Sequence, residues 1–134
     1  MNASNQYPII LQICPEQLAV CRLPVESKFP QWLSFDSKAF TSVTKTHDEL
    51  SIVCEQALVP SDVKAQLNWR LLKIKGQLDF ALVGILKRVI TPLSDIGISI
   101  FTISTYDTDY ILIQQKDFER ALEILKQHFE VQFR

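Results

Sequence analysis

The most regular pattern lies in the second half of the chain, where Leu82, Ile85, Leu86, Val89, Ile90 and Leu93 recur at i, i+3, i+4, i+7, i+8 and i+11. That spacing puts all six on one helical face. Asp79 is placed to cap the start, Pro92 falls in the last turn and Gly97 is the expected stop, so a helix is predicted over 79–94. Upstream, "NWRLLKIKG" (68–76) alternates as a strand, with Trp69 and Leu71 on one face, Leu72 and Ile74 on the other, and a glycine at its end. Downstream, "ISIFTIS" and "YILIQQ" read as two further strands. Phe118, Ala121, Leu122, Leu125 and Phe129 again have helical spacing, and "EVQF" closes the chain as a short strand. Strand, helix, strand, strand, helix, strand is the ferredoxin-like βαββαβ pattern, with two helices on one face of a sheet.

The first half is less regular and reads as a degenerate copy of the second. "YPIILQIC" and "LAVCRLP" are expected as two strands, "KFPQWL" as no more than a helical turn, and "AFTSVTKTHDELSIVCE" as a hairpin turning at His47-Asp48. "PSDVKAQL" is expected as a short helix leading into the second unit. The expectation is therefore an α+β chain of two tandem ferredoxin-like units, 1–62 and 63–134, with no low-complexity linker between them.

Composition narrows the function. The chain has 134 residues, 47% of them hydrophobic, and a net charge of −1, enough to bury a real core without a charged face for nucleic acid. No stretch approaches the ~18 uninterrupted apolar residues of a membrane span, and "MNASNQYPIILQICPEQ" is not a secretory leader, so a cytoplasmic protein is expected. Cys14, Cys21 and Cys54 lack CxxC spacing and sit among apolar neighbours, as buried reduced thiols would. His47 and His128 form no ligand-spaced pair, and there is neither a GxSxG elbow nor a glycine-rich phosphate loop. No metal and no cofactor is expected.

What stands out is "ISTYDTDYILI" (103–113), where an acidic, hydroxyl-rich segment occupies the place of a plain hairpin turn. Read alone, Asp107 is a turn carboxylate, Asp109 is an acceptor for a local amide, and Tyr106 covers the core edge. Phe80 reads as core, Asp79 as a helix cap, and Gly84, at mid-helix, would cost about 1 kcal/mol relative to alanine unless close packing or a ligand required it.

The stretch "KIKGQLDFALVGILKRVITPLSDIGISIFTISTYDTDYILI" (73–113) resembles the ACT domain of small bacterial proteins with two tandem ACT-like units, and is similar to the ACT units of the cytosolic arginine sensors of animals. The resemblance implies a sensor or regulatory module rather than an enzyme, with a small amino-acid-like ligand. It implies a binding set drawn from "GQLDF", Gly-Ile and "STYDTD": Gln77, Asp79, Phe80, Gly84, Ile85, Thr105, Tyr106, Asp107 and Asp109, with Asp109 touching the ligand. Leu82 stands where those sensors carry an acidic residue, which weighs against arginine itself.

The chemistry suits an amino acid. Backbone near Gly76 and Gly84 can approach closely, amides at a helix start favour a carboxylate, and an aspartate can receive an ammonium or guanidinium. The loop after the first strand and the hairpin between the second and third strands are expected at opposite ends of the sheet, so a pocket joining them would have to form across an interface. A homodimer is expected, because a small sheet leaves open edges, and a regulated protein partner is a further possibility. Two other functions stay open: a ligand-free assembly module, and a small enzyme using Asp107 and Asp109 as acid and base or as magnesium ligands.

Overall fold

A computed structural model describes residues 8–75 and 84–134. The strands are β1 (Ile10–Leu23), β2 (Ser42–Lys45), β3 (Leu50–Glu55), β4 (Ala65–Ile74), β5 (Ile100–Ser104), β6 (Asp109–Gln114) and β7 (Glu130–Phe133). The helices are α1 (Ile85–Asp95) and α2 (Gln115–Lys126), and a single 3-10 turn spans Gln56–Leu58. The chain forms two compact units, one made of the segment through Pro15 with Arg70–Arg134, the other of Glu16–Trp69.

The larger unit is the ferredoxin-like one. Its strand order is β7-β1-β4-β6-β5, so the start of β1 lies between β4 and β7. That added strand runs parallel to β7, from Ile10 opposite Glu130 to Ile13 opposite Phe133. Ile85, Val89 and Leu93 from α1 and Phe118, Ala121 and Leu125 from α2 pack on Leu72, Ile74, Ile111 and Ile113 of the sheet, as their spacing requires. Burying each large aliphatic side chain contributes roughly 1.5–3 kcal/mol, so the α1 stripe alone outweighs the ~3 kcal/mol of a proline inside a helix. Pro92 is accordingly tolerated.

Helix α1 ends as predicted. Ile98 N–H bonds the Leu93 carbonyl and Gly97 N–H bonds that of Ser94, with Gly97 at φ 78°. This is the Schellman closure, and Leu93 and Ile98 meet in the core as its apolar contact. The start of α1 differs from expectation. The helix begins at Ile85 and Gly84 is its N-cap in the left-handed region, at φ 80°, so Gly84 is not a mid-helix residue. A residue in that conformation cannot continue an α-helix, and the apolar period alone does not reveal the break.

The smaller unit has the order β2-β3-β1-β4 and, among the described residues, no α-helix. β2 and β3 form the expected hairpin, from Ser42 opposite Val53 to Lys45 opposite Leu50. Ala19, Cys21, Leu33, Leu50, Ile52 and Cys54 make its core. Two expectations are corrected here. The stretch expected as two strands is one, β1, continuing through Pro15. Pro15 stands between the residues paired with β7 (10–13) and those paired with β3 (18–23), so its missing N–H costs neither ladder a bond. The short helix expected in "PSDVKAQL" is a turn, closed by Val63 N–H on the Pro60 carbonyl, and the chain is already extended at Ala65. Val63 and Ala65 pack on the core there, which an extended backbone allows.

All three cysteines are free and buried. A hydrogen bond between the thiols of Cys21 and Cys54 draws Cys21 below its ordinary pKa, while the same bond and burial push Cys54 above it.

Gly97→Ala should lower stability by about 1–2 kcal/mol, the cost of holding an L-residue in the left-handed region. An added Cβ at Gly97 would meet nothing within 4 Å, so sterics add nothing to that figure. Urea denaturation of the variant against the wild type measures it.

Candidate functional site

The acidic segment is the tip of the β5–β6 hairpin. The strands pair from Ile100 opposite Ile113 to Ser104 opposite Asp109, which leaves a four-residue loop, Thr105-Tyr106-Asp107-Thr108. Glycine is absent from this loop, and the Thr105 hydroxyl reinforces the backbone bond that closes it. Thr105 N–H and Thr105 Oγ1 both donate to the Thr108 carbonyl, at 2.8 and 3.1 Å, and Thr108 N–H returns a longer bond to Thr105 Oγ1 at 3.4 Å. The Ser104 hydroxyl donates to the Asp109 carboxylate across the first pair of the hairpin.

Thr108 links the tip to the rest of the unit. It is 3% exposed, and its hydroxyl donates to the carbonyl of Ile74, the last residue of β4, at 2.7 Å. The hairpin tip and the end of β4 are therefore at the same end of the sheet, which corrects the expectation of opposite ends. The reason is topological: α1 carries the chain back, so β5 runs toward the end that β4 has just left. No second subunit is needed to bring these two segments together.

The candidate residues divide accordingly. Thr105, Tyr106, Asp107 and Asp109 share the tip, with Asp109 half-buried and Tyr106, at 77% exposure, facing solvent. Gly84 is exposed at the start of α1, whereas Ile85 is buried in the core among Leu72, Val89 and Ile113. Gln77, Asp79 and Phe80 lie outside the described residues. Two residues absent from the candidate set belong to the site's construction, Ser104 and Thr108. Counting the loop as four residues pairs Ser104 with Asp109 from sequence alone, but nothing in the sequence announces that Thr108 meets Ile74.

Chemically, the tip offers carboxylate oxygen at Asp107 and Asp109, with no cationic side chain in the loop. One hydrogen bond from Ser104 leaves Asp109 most of its acceptor capacity, since an ionised carboxylate has about four lone-pair sites. Carboxylate oxygens of this kind are suited to a cationic group. Among the described residues no group of three or more His, Cys, Asp or Glu is arranged to hold a metal ion, and no helix is long and apolar enough to cross a membrane.

A βαββαβ unit whose first-strand end adjoins the following hairpin is the architecture of an ACT domain, and residues 64–127 match the family model described as ACT domain. Residues 64–127 of the chain are thus an ACT domain. Residues 16–62 match a separate model that describes an N-terminal domain. The chain is 27% identical over 103 residues to the human protein "Cytosolic arginine sensor for mTORC1 subunit 1", a match covering 69% of this chain and 31% of that one. It thus spans about a third of the length of the curated relatives of that name. Among solved structures, protein Atu0741 from Agobacterium tumefaciens is 35% identical with a TM-score of 0.87, covering 96% of this chain and 95% of that one. Clostridium acetobutylicum aspartate kinase, described as an allosteric enzyme, shares the fold at 16% identity and a TM-score of 0.62, over 86% of this chain and 33% of its own.

The placements of Ile85 and Tyr106 separate their roles. Ile85→Ala should cost about 2–5 kcal/mol of stability, as loss of a buried aliphatic does. Tyr106→Ala should stay within about 0.5 kcal/mol of the wild type. Thermal or urea unfolding of the two variants checks both.

Proposed function

We propose that the chain is a non-catalytic regulatory protein that binds a small amino-acid-like molecule at the end of β4, with the cationic group of the ligand on Asp109. One observation carries the reading: the Thr108–Ile74 hydrogen bond holds an acidic, cation-free hairpin beside the end of β4, from which the chain runs on to α1. A ligand with separated positive and negative ends fits that juxtaposition. Its cation meets Asp109, and its carboxylate meets backbone amides near Gly84, where no Cβ blocks approach. Asp79, Gln77 and Phe80 belong to the same proposed contact, with Ile85 supporting it from the core. The name of the animal relatives, cytosolic arginine sensors, supports both an amino-acid ligand and a cytoplasmic location. A homodimer and a regulated protein partner complete the proposal. β5 ends the strand order of the larger unit, and an edge strand is a ready template for a second copy.

A thermal-shift screen of the common amino acids should show a rise in melting temperature with at least one of them, because a ligand that binds only the folded state stabilises it. For that amino acid, Asp109→Asn should weaken binding by about 1.5–3 kcal/mol, or about one to two decades in affinity, with little change in stability. Equal calorimetric affinities for the two proteins would make the tip a structural turn and nothing more.

A further inference from the structure

We propose that Thr108 is a positioning residue, the lock that sets where the hairpin tip presents Asp109, while Ser104 fixes the orientation of that carboxylate. The inference rests on the ligand site proposed above and goes beyond it, because neither residue is required to touch the ligand.

The argument begins with what a four-residue loop does when left to itself. An exposed hairpin tip closed by short polar side chains opens and closes readily, since each of its bonds competes with water. Here the tip residues Thr105, Tyr106 and Asp107 are exposed, and Thr108 alone is buried. Its hydroxyl makes the bond to Ile74, a carbonyl at the end of a strand, where ladder pairing stops. The same residue supplies the carbonyl that both Thr105 donors use, and an amide that returns to Thr105. Releasing Thr108 from Ile74 therefore loosens the whole loop.

Asp109 is the next residue and the first of β6, so its carboxylate is placed by whatever holds Thr108. The Ser104 hydroxyl then holds the carboxylate from the opposite strand. With both in place, the acid is pre-organised, and a ligand pays no ordering cost to meet it. Without Thr108, the same acid is present but must be ordered on binding.

The test compares the wild type with Thr108→Val, which keeps the shape and removes the hydroxyl, and with Thr108→Ser, which keeps the hydroxyl. Amide hydrogen exchange is followed without ligand. The Thr105 and Thr108 amides should exchange about tenfold faster in Thr108→Val and return toward wild type in Thr108→Ser, while Leu122 and Leu125 in α2 stay protected. Unchanged exchange at the tip would overturn the proposal. So would an equal rise at Leu122 and Leu125, because Thr108 would then be holding the fold as a whole.

Calorimetry adds a second arm with L-arginine, whose guanidinium is well matched to a carboxylate. Affinity should fall about tenfold in Thr108→Val and about as far in Ser104→Ala, and recover in Thr108→Ser. Equal affinity across the variants would also overturn the positioning role. A wild-type protein that binds no L-arginine removes arginine as the ligand, in line with Leu82, and the exchange arm then decides the positioning role alone.

Discussion

The second half of β4 buries residues on both of its faces, and the larger unit is arranged around that constraint. Leu71 and Leu72 are neighbours in sequence, point to opposite sides of the strand, and are both fully buried. A strand with two apolar faces can only run through the interior of a sheet, and β4 accordingly lies between β1 and β6. Helices α1 and α2 cover the face that carries Leu72 and Ile74. Because β4 is central, the chain leaves it in the middle of the sheet's end rather than at a margin. The β5–β6 hairpin ends at that same end of the sheet, where Thr108 bonds Ile74.

The turn chemistry is matched to this position. A two-residue hairpin loop would use Asn-Gly or a similar pair with positive φ and would offer only backbone. The four residues here close through one backbone bond reinforced by the Thr105 hydroxyl, and none of them has a positive φ. That construction leaves the tip with polar and aromatic side chains. Thr108 is turned inward onto Ile74, Tyr106 is turned outward, and Asp109 stands where the loop gives way to the strand.

The smaller unit solves a similar problem by other means. Asn68 takes φ 70°, a conformation asparagine tolerates better than most residues, and Gln56 answers it on two sides. Gln56 Oε1 accepts the Asn68 N–H at 2.6 Å, and Gln56 Nε2 donates to Asn68 Oδ1 at 3.2 Å. Glu16, a buried carboxylate, accepts the Phe40 N–H at 2.9 Å and so holds the loop that leads into β2. Its core is shorter in apolar residues than that of the larger unit, and polar side chains hold loops that helices would otherwise cover.

The period of six apolar residues from Leu82 to Leu93, the second helical stripe from Phe118 and the alternation around Trp69 were enough to give the order of elements in the second half and the fold class. They are local signals, since period 3.6 and period 2 are written in consecutive side chains. The Gly97 stop was legible for the same reason. What only the tertiary structure decided depends on pairing. The start of β1 enters the larger unit between β4 and β7, a contact between residues more than a hundred positions apart, as at Ile10 and Glu130. "YPIILQIC" and "LAVCRLP" read as two strands because the sequence does not show that one strand serves two partners, β7 over 10–13 and β3 over 18–23. The start of α1 at Gly84 turned on a single backbone angle that an uninterrupted apolar period conceals. The meeting of Thr108 with Ile74 joins residues 34 positions apart through one hydroxyl and one carbonyl. Every residue has a backbone carbonyl, so sequence cannot mark the one that matters, and only the folded chain selects it.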